Sequence, residues 1–194
     1  RDWSSDVCSS DLCPNTVSGF VSTNSTYTLC DFRGWDFTGL TIDNVDFSIS
    51  YLGGAFFSPN GSTYTTLNGV HFGNAVSTNV NFNHAHITNS VFYLANMNDS
   101  DFADTILSGT TFHDAFFDGA SFINANFVGA TLNNMWLRGA NLSYSNVTQA
   151  QLDSANLSDS TICPDTYPLG DHVGNCFSAL KAPIPVTTPP VITS

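Results

Sequence analysis

The sequence predicts a repeat architecture counted in fives, and three observations carry that reading. First, residues 82–162 hold one apolar residue at every fifth position, from Phe82, Ile87 and Phe92 through Phe117 and Phe122 to Leu157 and Ile162. Second, the residue two before each of these is mostly small, as at Ala85, Ser90, Ala95, Thr105, Ala115, Ala125 and Ala140. Third, the residue two after is Gly, Asn or Asp in 18 of 27 units, for example Gly109, Asp114, Gly119 and Asn124. Those types tolerate left-handed backbone and bond their own turns, which a chain needs if it turns a corner every fifth residue. A helix repeats about every 3.6 residues and a strand every second one. A period of five fits neither, so the repeat must be read before any local element.

The same phase runs backwards through Phe32, Phe37, Ile42, Phe47, Leu52, Phe57, Leu67 and Phe72. Of the 27 beat positions from 32 to 162, 25 are apolar, and the exceptions are Ser62 and Ser77. With an apolar content of 42%, chance would supply about 11.

The units Ala-Asn-Phe-Val-Gly (125–129) and Ala-Asn-Leu-Ser-Tyr (140–144) resemble the pentapeptide-repeat family, whose motif is Ala-Asp/Asn-Leu-x-x. The resemblance covers roughly residues 30–164. It implies an all-β fold, a right-handed quadrilateral β-helix in which four pentapeptides make one square coil of about 20 residues. The beat residue and the small residue two before it would point inward, and the other three outward. With coils spaced at about 4.8 Å, about seven of them make a rod on the order of 32 Å long.

Taken in order, residues 1–12 match no repeat and resemble translated sequencing adapter, so they are set aside as a disordered scar. The natural N-terminus, with any signal peptide, is then expected to be missing from this chain. Residues 13–31 are expected to cap the first coil, with Phe20, Val21, Tyr27 and Leu29 as material, because an open solenoid end exposes apolar side chains and strand edges. Residues 32–162 are the solenoid. Within it, residues 58–66 read as a loop bulging from the wall, since Asn60 and Ser62 fall on inward positions, and Ser77 marks a milder defect. Residues 163–180 read as a C-terminal cap plugged by Phe177 and Leu180. Residues 181–194 form an extended Pro/Thr-rich tail, a candidate linker to a further domain or anchor.

Five cysteines punctuate this plan. Cys8 falls in the scar; Cys13 and Cys30 bracket the N-terminal cap, and Cys163 and Cys176 the C-terminal one. An even, end-placed set suggests the staples Cys13–Cys30 and Cys163–Cys176 and an oxidising compartment. Buried free thiols are the other reading, and a zinc site is disfavoured because no Cys-x-x-Cys spacing occurs. The segment Thr-Ile-Cys-Pro-Asp (161–165) followed by Gly-Asn-Cys (174–176) also resembles the terminal element of secreted bacterial pentapeptide-repeat proteins. The expected location is therefore extracytoplasmic.

The net charge of −12 comes from 16 acidic residues, all Asp, against four basic ones. Without a basic patch, nucleic-acid binding is not expected. Some members of the family it resembles imitate DNA and occupy the DNA site of type II topoisomerases. A mimic of this length would want about 19 negative charges, whereas residues 30–164 hold eleven Asp and two Arg, and a preference for Asp at corners explains most of these. Catalytic, cofactor and metal sites are not expected. His84 and His86 point outward with Asp104 one coil above His84, but no third ligand is evident. Asp99, Asp101 and Asp104 cluster on a convex surface that offers no cleft for paired-carboxylate hydrolysis. No stretch is long and apolar enough to cross a bilayer as a helix, so membrane insertion is not expected.

One outward feature stands apart. Phe116 and Trp136 both sit one before a beat and twenty residues apart, so the coil implied by the resemblance stacks them. Leu94, on the neighbouring corner one coil lower, extends the patch, and Phe56 joins the same stack if the 58–66 loop keeps phase. Contiguous exposed apolar surface marks interfaces. The reading is thus a non-enzymatic exported solenoid presenting a rigid surface to an unknown protein or glycan, with a homodimer among the options. The alternative is a cytoplasmic DNA-mimicking topoisomerase-binding protein.

Overall fold

Four five-residue sides close each coil, and parallel bridges tie every coil to the next. The computed structural model describes residues 13–14, 16, 19–158 and 160–164. The expectations for residues 1–12, Cys176, Phe177, Leu180 and the Pro/Thr tail lie outside the described residues. Three short strands, β1 (Thr41–Asp43), β2 (Thr66–Asn68) and β3 (His86–Thr88), form a parallel sheet in the order β1-β2-β3. The other walls are built from single-residue parallel bridges such as Val91↔Thr111, Ile106↔Asn126 and Phe116↔Trp136. Their offset of twenty residues, divided into five-residue sides, gives a square coil.

Each corner is a tight turn closed by the carbonyl of the beat residue. The amide of Ala85 donates to Phe82 O at 2.8 Å, and that of Ala125 to Phe122 O at 3.0 Å. Two residues after the beat the backbone is left-handed, at Asn124 with φ 57° and at Gly119 with φ 71°. At Gly119 a Cβ would run into the Asp99 carboxylate, which would have to swing aside, and the left-handed backbone would strain any side chain placed there. Ile49 breaks the rule: it holds φ 61° with a β-branched side chain that is 49% exposed. Left-handed backbone costs an ordinary residue roughly 1–2 kcal/mol, and Asn is one of the few types that adopts it readily. Ile49→Asn is therefore expected to stabilise the protein by about 1 kcal/mol, read as a raised urea midpoint at unchanged slope.

The interior is two phenyl ladders on opposite walls. Phe37, Phe57, Phe82, Phe102 and Phe122 stack at 4.7, 4.6, 4.7 and 5.1 Å between centroids. Phe47, Phe72, Phe92 and Phe112 stack at 5.6, 4.7 and 5.2 Å. The ladders meet edge to face across the rod, as Phe72 does Phe82 at 5.9 Å and 84°, a favourable arrangement for ring quadrupoles. At several small inward positions a hydroxyl satisfies a backbone carbonyl one coil below: Thr105 donates to Phe82 O at 3.1 Å and Thr110 to Ile87 O at 3.0 Å.

Three departures from strict repetition matter. Residues 58–64 leave the wall as a small hairpin, with Asn60 and Thr63 paired antiparallel and Asn60–Tyr64 exposed. Thr65 and Leu67 then resume the inward positions. That coil carries five extra residues, so partners across it are offset by 25, as in Thr41↔Thr66 and Tyr51↔Val76. Ser77 stays inward and fully buried, and its hydroxyl has no hydrogen-bond partner among the described residues.

The third departure corrects the expected last beat. Asn141 pairs with Ile162 at an offset of 21, which moves Ile162 to the outward position and gives the inward one to Cys163. The extra residue sits in a hydroxyl-bonded corner, where Ser158 N donates to Thr161 Oγ1 at 3.0 Å and Thr161 N to Ser158 O at 3.0 Å. Just before it, α1 (Gln149–Leu152) replaces one corner, closed by a Thr148/Gln151 capping box. Gln151 Nε2 also donates to Phe127 O and Ala130 O, both at 2.9 Å.

At the other end Phe20 lies across the first coil. It stacks on Tyr27 at 5.0 Å and Phe47 at 5.8 Å and meets Phe37 at 5.1 Å. A Cys13–Cys30 disulfide ties the preceding chain to the first coil.

Candidate interaction wall

One wall carries an apolar ladder flanked by two Asp–Arg pairs. Its residues one before the beat rise in register as Asp31, Tyr51, Val76, Asn96, Phe116, Trp136 and Asn156. Beside them, one after the beat, stand Arg33, Gly53, Thr78, Asn98, Asp118, Arg138 and Ser158. Both columns face out, because the inward beat residue lies between them. Tyr51 and Val76 are 39% and 48% exposed, and Phe116 and Trp136 are half-buried.

Phe116 and Trp136 stack, with centroids 6.1 Å apart and planes 16° from parallel. The guanidinium of Arg138 lies 4.8 Å from the centre of the Trp136 ring, within cation–π range. Asp118, one coil below, fixes that guanidinium: it accepts from Arg138 Nε at 2.9 Å and from the Arg138 amide at 2.9 Å. This hydrogen bonding raises the Arg138 pKa above its ordinary value. A looser copy of the arrangement occurs lower down, where Arg33 stands 5.9 Å from the Tyr51 ring and pairs with Asp31. The hydrogen bond from Arg33 holds the Asp31 carboxyl below the usual carboxylate range.

Leu94 lies on the preceding corner, with φ 54° and 37% exposed, two residues before Asn96. Phe56 is not in this ladder. The five-residue hairpin makes Phe56 pair with Asn81 rather than with residue 76, so it belongs to the next wall, above Asp36. Tyr51 takes the place expected for it. Sequence reasoning thus missed Tyr51 and Val76, and also the Asp118–Arg138 clamp. The clamp was within reach, since the two residues sit twenty apart, each one after a beat.

The remaining polar candidates stay separate. His84 Nε2 approaches Asp104 Oδ2 only to 3.7 Å, while the other Asp104 oxygen accepts from Asn124 at 2.6 Å. His86 stacks on Tyr64 of the hairpin at 4.6 Å. Asp101 accepts from the Ala103 amide at 2.9 Å, and Asp99 lies against Gly119. Among the described residues no group of three His, Cys, Asp or Glu could hold a metal ion. Cys163 is buried and disulfide-bonded; Cys176, its expected partner, lies outside the described residues.

Residues 78–114, 95–134 and 120–159 match the family profile described as pentapeptide repeats, with eight copies. The chain carries pentapeptide repeats. The pentapeptide-repeat coil is a right-handed quadrilateral β-helix, which gives the hand of the rod. No curated protein matches the chain in sequence. Among solved structures, a pentapeptide repeat protein from the cyanobacterium Cyanothece 51142 is 20% identical, covering 66% of this chain and 90% of that one with a TM-score of 0.43. A pentapeptide repeat protein of the Arabidopsis thaliana thylakoid lumen is 25% identical, covering 62% and 66%, with a TM-score of 0.43. QnrB1, a plasmid-mediated fluoroquinolone resistance protein, is 13% identical, covering 73% and 92%, with a TM-score of 0.38.

Proposed function

We propose that this pentapeptide-repeat solenoid works outside the cytoplasm as a non-enzymatic scaffold that presents the Trp136 wall to a protein or glycan partner. The observation that carries the reading is the Phe116–Trp136 stack at 6.1 Å, an aromatic step with a clamped guanidinium beside it on a largely polar exterior. Aromatic and Arg side chains of this kind, held in place before a partner arrives, are what interface centres are made of. The compartment is supported by the Cys13–Cys30 bond, since such bonds persist in oxidising surroundings.

The rival, a topoisomerase-binding DNA mimic, draws on the net charge of −12. Its difficulty is placement. A mimic needs a continuous rail of carboxylates, whereas this wall interleaves Asp31 and Asp118 with Arg33, Arg138 and apolar side chains.

The test is the double variant Phe116→Ser/Trp136→Ser. It is expected to keep the wild-type circular dichroism and thermal midpoint within a few degrees, while self-association and retention on a glycan array fall at least tenfold. A double variant that unfolds would show those side chains to be core, and the wall would lose its role. Non-reducing peptide mapping of protein recovered from culture medium or periplasm tests the compartment, and free thiols at Cys13 and Cys30 would overturn it.

A further inference from the structure

We infer that the occupant of the Trp136 wall is a second copy of this chain, docked antiparallel about a two-fold axis through the Asn96–Asn98 row. The inference rests on the wall being an interaction surface and goes on to name its partner.

The argument is one of register. A two-fold axis lying along the strand direction reverses the order of the coils but sets each outward column against itself. With the axis on the Asn96 row, rows equally far above and below it meet. Phe116 then faces Val76 of the second copy, and Trp136 faces Tyr51, following the observed ladder order. Each apolar side chain meets another, on both sides of the axis. In the second column Arg138 faces Gly53, which has no side chain, and Asp118 faces Thr78. Arg33 and Asp31 face Ser158 and Asn156, so no charge is opposed to its like.

The axial row must tolerate its own copy. A carboxylate there would repel itself, but an Asn amide carries both a donor and an acceptor and pairs with its own kind. Such self-complementarity is what an isologous two-fold contact requires.

Neighbouring arrangements lose these matches. Lowering the axis by half a row sets Arg33 against Arg138 and Val76 against Asn96. A two-fold axis along the rod sets the two columns against each other, so that Asp118 is pressed onto Phe116. Only the Asn96-centred register pairs all four apolar side chains of the wall with one another, and it does so without opposing like charges.

The expected contact is modest. A wall two residues wide and about seven rows long buries on the order of 1,000 Å² in total, at the low edge of specific interfaces. That fits a dissociation constant on the order of 10 μM. Because each copy carries a net charge of −12, long-range repulsion opposes pairing and salt should screen it. The dimer is expected to tighten as NaCl rises, the opposite of an interface held by exposed ion pairs.

Sedimentation velocity of the full chain from about 1 to 300 μM tests this at two salt concentrations. Wild type should pass from monomer to dimer, and more readily at high salt. Asn96→Asp changes neither size nor exposure of the side chain, so the fold is kept, and it should weaken pairing at least tenfold. Val76→Lys and Phe116→Glu should each be monomeric alone, yet a mixture of the two should give a mixed dimer, because lysine then faces glutamate.

A wild type that stays monomeric throughout overturns the pairing. So does a mixture that fails to associate, or an Asn96→Asp chain that dimerises like wild type. If wild type is monomeric but Phe116→Ser/Trp136→Ser still abolishes glycan retention, the wall remains a binding surface and only the second copy is ruled out.

Discussion

Phe122→Ala is expected to destabilise the protein by about 3–5 kcal/mol, towards the upper end of that range. Phe122 is fully buried, stacked on Phe102 at 5.1 Å and tilted against Phe117 at 5.5 Å and Phe127 at 5.3 Å. The cost of such a truncation depends on how far the surroundings can close over the void. Here they cannot close along the rod, because the coils are held apart by backbone bonds such as Phe122 N to Asn141 O at 2.7 Å. The control is Asn124→Gly, two residues on and outward, which keeps the left-handed corner and loses the 2.6 Å bond to Asp104. It should cost about 1 kcal/mol or less. Alanine is a poorer control, since it adds left-handed strain of its own. Urea unfolding of both variants decides the matter, and comparable losses would mean that the inward positions have been assigned wrongly.

Removing the N-terminal staple should have the second largest effect. Cys13 and Cys30 are 17 residues apart in sequence, and closing a loop of that size is worth about 3 kcal/mol. Cys13→Ala/Cys30→Ala leaves a small inward residue at position 30, where the family pattern places one, so the change isolates the covalent link. The loss should be local. Repeat solenoids are held by nearest-neighbour contacts, so coils can open from an end without the rest. Faster amide exchange is expected at Tyr27 and Phe32, with the amides around Phe102 and Phe122 unchanged. If dithiothreitol leaves the unfolding midpoint of wild type where it was, the bond contributes nothing and the end is held by Phe20 alone.

The fold was legible because its interior obeys a one-dimensional rule. Every inward large residue from Phe32 to Leu157 follows from counting in fives, apart from Ser62, which the hairpin expels. The wall chemistry was legible where no interruption intervened, as between Phe116 and Trp136. It failed at Phe56, because phase within five survives a five-residue insertion while neighbourhood within twenty does not. It failed again at Ile162, where the single residue gained between Leu157 and Ile162 carries no compositional mark. α1 was hidden because Leu152 keeps its inward place whether its corner is a turn of helix or a tight turn.

The hairpin at residues 58–64 points to how such a chain can change its neighbours. Packing is indifferent to the gain or loss of five codons, since the sixth position is chemically the first. If the added codons are wound into the spiral, every later residue moves a quarter turn around the axis and acquires new companions. If they are extruded, as here, the later residues keep their wall and only their sequence distance to it changes. A lineage built this way can reshuffle its exterior by slippage during replication, without testing a new interior each time.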